Sequence, residues 1–164
     1  MESSPVNDRA SPAPVLALAD PYARNLDGLL LAGRIFVGAI FVLSGVLKLT
    51  GVAAYSTRGW PAEWFFGPLG ASVELFGGAL VIAGLATRYG CVIMFLFMIV
   101  ATFSAHRFWD FADPAQFRAQ QSQFFKNVSI FGGFILIFAL GPGRFSLDHV
   151  IRRRAQKQDG APAA

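Results

Sequence analysis

Four stretches of nearly uninterrupted apolar residues, at about 29–49, 68–88, 89–107 and 124–141, are separated by segments rich in Gly, Pro and aromatic rings. Each is close to the roughly 20 residues an α-helix needs to cross a hydrocarbon core, and none keeps the broad polar face of a soluble helix. The pattern predicts an all-α membrane protein, a four-transmembrane-helix up-down bundle over residues 28–144. Residues 1–27, rich in Pro, Ala and Ser, read as a disordered N-terminal tail, because their one apolar patch, Val15 to Ala19, is too short for a signal-peptide core. Residues 145–164 read as a basic juxtamembrane tail that can form a short helix.

Within the spans the few polar residues recur at helical spacing. Arg34, Val37, Phe41, Ser44 and Lys48 follow steps of three and four along span one, and Glu74, Gly77, Val81, Leu85 and Arg88 do so along span two. Thr102 and His106 share a face near the end of span three. Gly33, Gly38 and Gly45 offer close approach to a neighbouring helix. The stretch Thr87–Gly90 predicts a tight turn making spans two and three an antiparallel hairpin. Asp113-Pro114 forms an N-cap and first-turn pair for a short helix leading into span four, and Gly141-Pro142-Gly143 ends that span. Tyr55, Trp60 and Trp64 lie in a loop of interfacial character with Glu63 in its wet part, and Phe108, Trp109 and Phe111 form a second aromatic belt.

Composition narrows the class further. With 54% hydrophobic residues, 15% charged residues and a mean hydropathy of +0.50, the chain has more apolar surface than a soluble domain of 164 residues can hide. The formal charge of +4 and pI near 9.7 would suit nucleic acid, but the basic residues sit at span ends and in the tail rather than among exposed aromatics, so no nucleic-acid role is read. Four spans put both termini on one side, and Arg152, Arg153 and Arg154, placed against anionic lipid, mark that side as cytoplasmic. The single cysteine, Cys91, excludes an intrachain disulfide or CxxC pair and reads as packing.

An up-down topology brings Lys48, Glu74, His106, Lys126 and Asn127 to one outer layer, with one or two residues from each helix. Arg34, Arg88, Arg144 and Asp148 form a looser set near the other face. A carboxylate at the depth of Glu74 costs on the order of 3 kcal/mol, so such a group normally faces protein and finds a partner. Three readings of the layer stay open: an ion-pair network that fixes helix register, a small polar pocket for a headgroup, a quinone ring or a proton-carrying species, and a coincidence of helix ends. No His, Cys, Asp or Glu cluster has zinc or di-iron spacing, two-histidine haem ligation is excluded because His149 lies beyond the opposite face, and no catalytic residues are assigned.

The segments RIFVGAIFVLSGVLKL, ELFGGALVIAGLATR, TFSAH, FFKNVSIFGG and GPGRFSLD, in this order from about Arg34 to Asp148, resemble the DoxX family of small four-helix membrane proteins. The resemblance implies a multi-pass protein of the bacterial inner membrane, some of whose relatives are subunits of quinone-linked oxidoreductases or belong to oxidative-stress complexes. Carried over by position, the family's recurrent polar sites fall on Arg34, Lys48, Glu74, His106, Lys126, Asn127 and Asp148. Three functions stay open, in this order: a non-catalytic accessory subunit holding a quinone or docking a redox enzyme; a structural or assembly protein; and a small-solute or proton transporter acting as a homo-oligomer.

Overall fold

The computed structural model describes residues 20–55 and 62–159, so Trp60 of the expected interfacial loop lies outside the described residues. Helices α1 (Asp20–Leu49), α2 (Glu63–Ala83), α3 (Thr87–Ala105), α4 (Pro114–Leu140) and α5 (Leu147–Asp159) follow one another, with a short 3-10 turn at Phe108–Asp110. Four helices are long and apolar enough to cross a membrane, and no strand occurs among the described residues. Many large apolar side chains, Phe36, Phe76 and Leu136 among them, face outward, as a bilayer rather than water requires.

The helix ends differ from the sequence reading in three places. Helix α1 starts at Asp20, so residues 20–27 are helical rather than tail; a helix already nucleated by an apolar run adds one hydrogen bond per further residue, and Pro21 in its first turn forfeits no intrahelical bond. Helix α2 starts at Glu63 rather than near Pro68, which makes Glu63, Trp64, Phe65 and Phe66 helical. An acidic residue in the first turn suits the positive end of the helix dipole, and Glu63 is half-buried rather than in a wet loop. The break between α2 and α3 falls at Gly84-Leu85-Ala86, and Thr87–Gly90 already belongs to α3. Gly84 adopts φ +66°, the left-handed conformation glycine takes without penalty, and its N–H closes on the Leu80 and Val81 carbonyls.

Elsewhere the expected caps form. The Asp113 side chain accepts the Gln116 N–H at 2.9 Å, Pro114 opens α4, and the Gly141 N–H closes the helix on the Ile137 carbonyl. Helix α4 runs unbroken, so the short helix expected after Asp113 is its first part.

Helices α1 and α2 pack tightly because Gly38 and Gly78 face each other. A Cβ on either would lie 2.7 Å from the other's carbonyl oxygen, so any side chain would push the two backbones apart. Beside this contact Phe41, Val81, Met94, Met98, Phe134 and Ile137 form the core, with the Phe41 and Phe134 rings 5.6 Å apart. Gly33 has open space around it and takes no part in the interface. At the α3–α4 end, Phe108 stacks against Trp109, Phe117 and Phe124, so the second aromatic belt is a packed cluster that fixes the connection beyond His106.

Candidate functional site

Glu74 lies about three turns into α2 and is buried. Lys48, in the last turn of α1, donates from Nζ to Oε1 at 2.7 Å and to Oε2 at 2.8 Å, and the Ser44 hydroxyl donates to Oε2 at 2.7 Å. The helical spacing of Ser44 and Lys48 puts both on the face that meets α2, and the close α1–α2 approach brings that face to the carboxylate. A charge that would be costly alone is thereby paired and hydrogen-bonded.

The other three members of the expected layer are His106, the C-cap of α3, and Lys126 and Asn127 of α4. Asn127 is buried and donates to the Thr102 hydroxyl at 3.0 Å. The His106 Nδ1 stands 2.9 Å from Gln120 Oε1. An amide oxygen can only accept, so Nδ1 carries the proton in that contact. Lys126 is exposed and its ammonium donates to Gln123. Neither His106 nor Lys126 bonds Glu74, yet a single cavity of about 90 Å³ is bordered by Ser44, Lys48, Glu74, His106, Lys126 and Asn127. That volume holds a few waters and is far below the roughly 300 Å³ at which small-molecule pockets begin. On the α2–α3 side, Lys48 and Glu74 also border an apolar groove of about 280 Å³, whose wall includes Gly70, Val73, Phe97 and Ala101. The ion pair thus stands between a polar interior cavity and an apolar groove.

The inner set divides differently. Arg34 is fully buried; its Nη1 donates to the Ile82 carbonyl at 3.0 Å and its Nη2 donates to the Phe145 carbonyl. Asp148, near the start of α5, accepts the Ala86 N–H at 2.7 Å on Oδ1 and the Thr87 N–H and hydroxyl, each at 2.9 Å, on Oδ2. Its own N–H donates to the Gly84 carbonyl at 3.0 Å. Burial pushes the Asp148 carboxyl upward, but the Thr87 and Ala86 amides, the Thr87 hydroxyl and the Arg152 charge together hold it below the ordinary carboxylate value. Arg88 and Arg144 are exposed and make no side-chain bond to this cluster; the Arg144 backbone N–H donates to Asp27 Oδ1 at 2.7 Å. Arg152, Arg153 and Arg154 are exposed on α5.

Five contributors were not among the predicted site residues: Ser44, Thr102, Gln120, Thr87 and Asp27. Ser44 and Thr102 were legible as same-face neighbours of Lys48 and His106. Gln120 and Asp27 lie in stretches that read as connection and tail, where periodicity carries no signal. Thr87 read as a turn residue, and its role depends on Asp148, 61 positions away.

The DoxX family matches residues 29–107, and the SURF4 family matches residues 71–153. The chain is similar to the inner membrane protein YphA of Escherichia coli (strain K12), 32% identical over 124 residues that cover 73% of this chain and 88% of that protein. It is 30% identical over 128 residues to the inner membrane protein YqjF of the same organism, covering 76% of this chain and 92% of that protein. It also resembles the Surfeit locus protein 4 homolog of Schizosaccharomyces pombe, 29% identical over 119 residues, which are 72% of this chain and 36% of that protein. No solved structure matches the chain.

Proposed function

The chain belongs to the DoxX family of integral membrane proteins, and on that premise we propose that it is a non-catalytic subunit of a quinone-linked redox system in a bacterial inner membrane. The observation that carries this reading is the position of the Lys48–Glu74 pair, which borders both the interior polar cavity and the apolar α2–α3 groove. The groove is near the lower size limit of small-ligand pockets and is lined by apolar side chains, which suits a hydrophobic ring arriving from the bilayer. At its inner wall the ammonium and the carboxylate, bonded to each other, can exchange a mutual hydrogen bond for one to a quinone carbonyl or to the hydroxyl of the reduced form. The interior cavity, with room for a few waters, leads from the pair towards His106 and gives protons a route of exchange. Electrons come from a partner redox enzyme; this chain binds and orients the ring.

Purification of the full chain in mild detergent, followed by solvent extraction and quinone quantification, tests the reading. Quinone is expected in near-stoichiometric amount. Gly70→Leu, which projects a side chain into the groove, is expected to remove it without a loss of thermal stability. Equal trace amounts from both proteins overturn the proposal.

One observation favours a second reading, a structural or assembly role. Glu74 already accepts three hydrogen bonds from Lys48 and Ser44, a closed arrangement sufficient to fix the α1–α2 register.

A further inference from the structure

At the end of the molecule opposite the Lys48–Glu74 pair, α5, the first turn of α3 and the Gly141–Arg144 turn enclose a cleft of about 660 Å³. Four guanidinium-bearing residues line it: Arg88 from α3, Arg144 from the turn, and Arg152 and Arg153 from α5. Two carboxylates share the cleft, and both are engaged. Asp148 spends its oxygens on the Ala86 and Thr87 amides and the Thr87 hydroxyl, and Asp27 Oδ1 accepts the Arg144 backbone N–H. Among the described residues none of the four arginines makes a salt bridge, and the one side-chain bond they form runs from Arg152 Nε to the Asp148 carbonyl. Four cations therefore border one concave surface with two carboxylates, of which Asp148 is bonded at both oxygens and also faces the Arg152 charge, and Asp27 is bonded at Oδ1. Such a surface calls for an anion, and arginine presents paired N–H donors matched to phosphate oxygens.

A second feature says what kind of anion. About one turn further along α3 from Arg88 and Tyr89, an apolar groove of about 200 Å³ runs between α3 and α4, lined by Cys91, Val92, Phe95, Leu96, Phe134 and Phe138. Tyr89 and Leu140, both exposed, line the cleft on the α3 and α4 sides that lead to it. A cationic cleft adjoining a fully apolar channel has the division of a phospholipid, with the phosphate above and an acyl chain below.

We propose that this cleft binds one anionic phospholipid, its phosphate headgroup held by Arg88, Arg144, Arg152 and Arg153 and an acyl chain lying in the α3–α4 groove. The site is separate from the quinone reading and does not depend on it. It also differs from a diffuse attraction of the basic tail to the membrane surface, since two of its four arginines lie outside α5.

The test uses the full-length protein, native mass spectrometry and thermal unfolding in detergent, with dioleoylphosphatidylglycerol, dioleoylphosphatidylcholine and inorganic phosphate as separate additions. Phosphatidylglycerol is expected to stay bound at one per chain and to raise the melting temperature, with phosphatidylcholine and inorganic phosphate having little effect. Arg88→Gln combined with Arg144→Gln is expected to weaken phosphatidylglycerol retention about tenfold or more, since a basic residue near a membrane surface contributes about 1 kcal/mol and each 1.4 kcal/mol is a factor of ten. Arg118→Gln, an exposed arginine on the first half of α4, is the charge control and should leave retention unchanged. Val92→Trp, which fills the apolar groove, should weaken phosphatidylglycerol while the arginines remain. Equal retention of the two lipids overturns the proposal, as does an equal loss in the Arg118 control. Inorganic phosphate matching phosphatidylglycerol assigns a free-anion site instead and overturns the lipid. Melting temperatures of all variants without added lipid should match the parent, which separates loss of binding from loss of fold.

Discussion

Arg34 and Asp148 hold the two sides of a single turn: the Arg34 guanidinium donates to the Ile82 carbonyl in the last turn of α2, and the Asp148 carboxylate accepts from the Ala86 and Thr87 amides that open α3. Each charge lies where the helix dipole favours it, the cation at a C-terminus and the anion at an N-terminus. Both also tie the turn to the α5 region, Arg34 through the Phe145 carbonyl and Asp148 through its place in the helix. Gly84 lets them converge, since a Cβ there would lie 2.0 Å from Arg34 Nη1 and 2.6 Å from Ser146 Cβ.

Asp148→Asn should loosen this turn and free α5. The amide loses the charge and one of the two acceptor oxygens, and a helix cap is worth about 1 kcal/mol, up to about 2 kcal/mol. The sign with pH follows from the depressed carboxyl: its contribution is present above the ordinary value of 3.8 and is lost as pH falls through the lower folded value. The advantage of the parent over Asp148→Asn in thermal unfolding should therefore be full at pH 7, begin to shrink only as pH falls towards 3.8, and be lost below the still lower folded value. Limited proteolysis should cut α5 faster in the variant. An advantage that persists unchanged into the acid range would remove the ionised cap from the account.

Gly78→Ala should be more harmful than its size suggests. The added methyl would meet the Gly38 carbonyl, a backbone atom that cannot swing aside, and overpacking of this kind costs about 1–3 kcal/mol. Gly132→Ala, at a helical glycine with open space around it, should be neutral or stabilising by up to about 1 kcal/mol. Thermal unfolding of the two variants side by side checks the ordering, and equal melting temperatures would contradict the close approach.

The spans and the caps at Asp113 and Gly141 are consequences of local spacing, so they could be read before the fold was known; the same spacing put Lys48 and Glu74 in one layer with His106, Lys126 and Asn127 without saying which of them pairs with the carboxylate. Lys48 and Glu74 sit on stripes that face each other once α1 and α2 pack antiparallel. The α2–α3 turn could not be read in the same way. Its Thr87-Arg88-Tyr89-Gly90 stretch looks like a turn, but Asp148 satisfies the first amides of α3 and moves the break back to Gly84. Helix α1 likewise runs past its apolar pattern to Asp20. The inner face was legible only as a loose set, Arg34, Arg88, Arg144 and Asp148, beside a basic tail; that Arg88, Arg144 and α5 border one cleft depends on the tertiary fold, which local spacing does not show.

Glu74→Ala should destabilise the protein more than Glu63→Ala. Glu63 is half-buried at the start of α2, whereas removing Glu74 takes the carboxylate of the ion pair away from the largely buried Lys48 ammonium. Breaking a buried pair costs about 3–5 kcal/mol in soluble proteins, while membrane hydrogen bonds average near 0.6 kcal/mol, so the loss should fall between these bounds. The double variant Lys48→Met with Glu74→Leu should recover part of it, because both charges leave together. Melting temperatures in detergent check the series; a fully additive double variant would deny the coupling.

Topology supplies a prediction that depends on no site. The cluster Arg152, Arg153 and Arg154 beyond α4 predicts that a reporter after Ala164 reads cytoplasmic. Reporters placed within residues 56–61 and beside Pro114 should read external, since α1–α2 and α3–α4 connect at the same end. A cytoplasmic signal from either connection would contradict the orientation.

His106→Gln addresses the mechanism directly. Gln120 holds the Nδ1 of His106, and its ring borders the same small cavity as Glu74, with Asn127 and Lys126 beside it. Glutamine keeps a hydrogen-bonding group of similar reach but cannot take up a proton, so it separates structural from proton-exchange roles. If the cavity only fixes packing, the variant should resemble the parent in every respect, because Thr102–Asn127 and Lys48–Glu74 remain in place. If protons reach the groove through it, the variant should show parent-like membrane levels and melting temperature, unchanged bound quinone, and quinone-linked activity of the partner system reduced by about tenfold or more, the low end of the general acid–base range. Unchanged activity together with parent-like quinone content would remove His106 from the proton route while leaving the groove as a binding site. Loss of quinone in this variant would instead place the ring on the His106 side of the ion pair, in a space that the 90 Å³ cavity does not provide without helix movement.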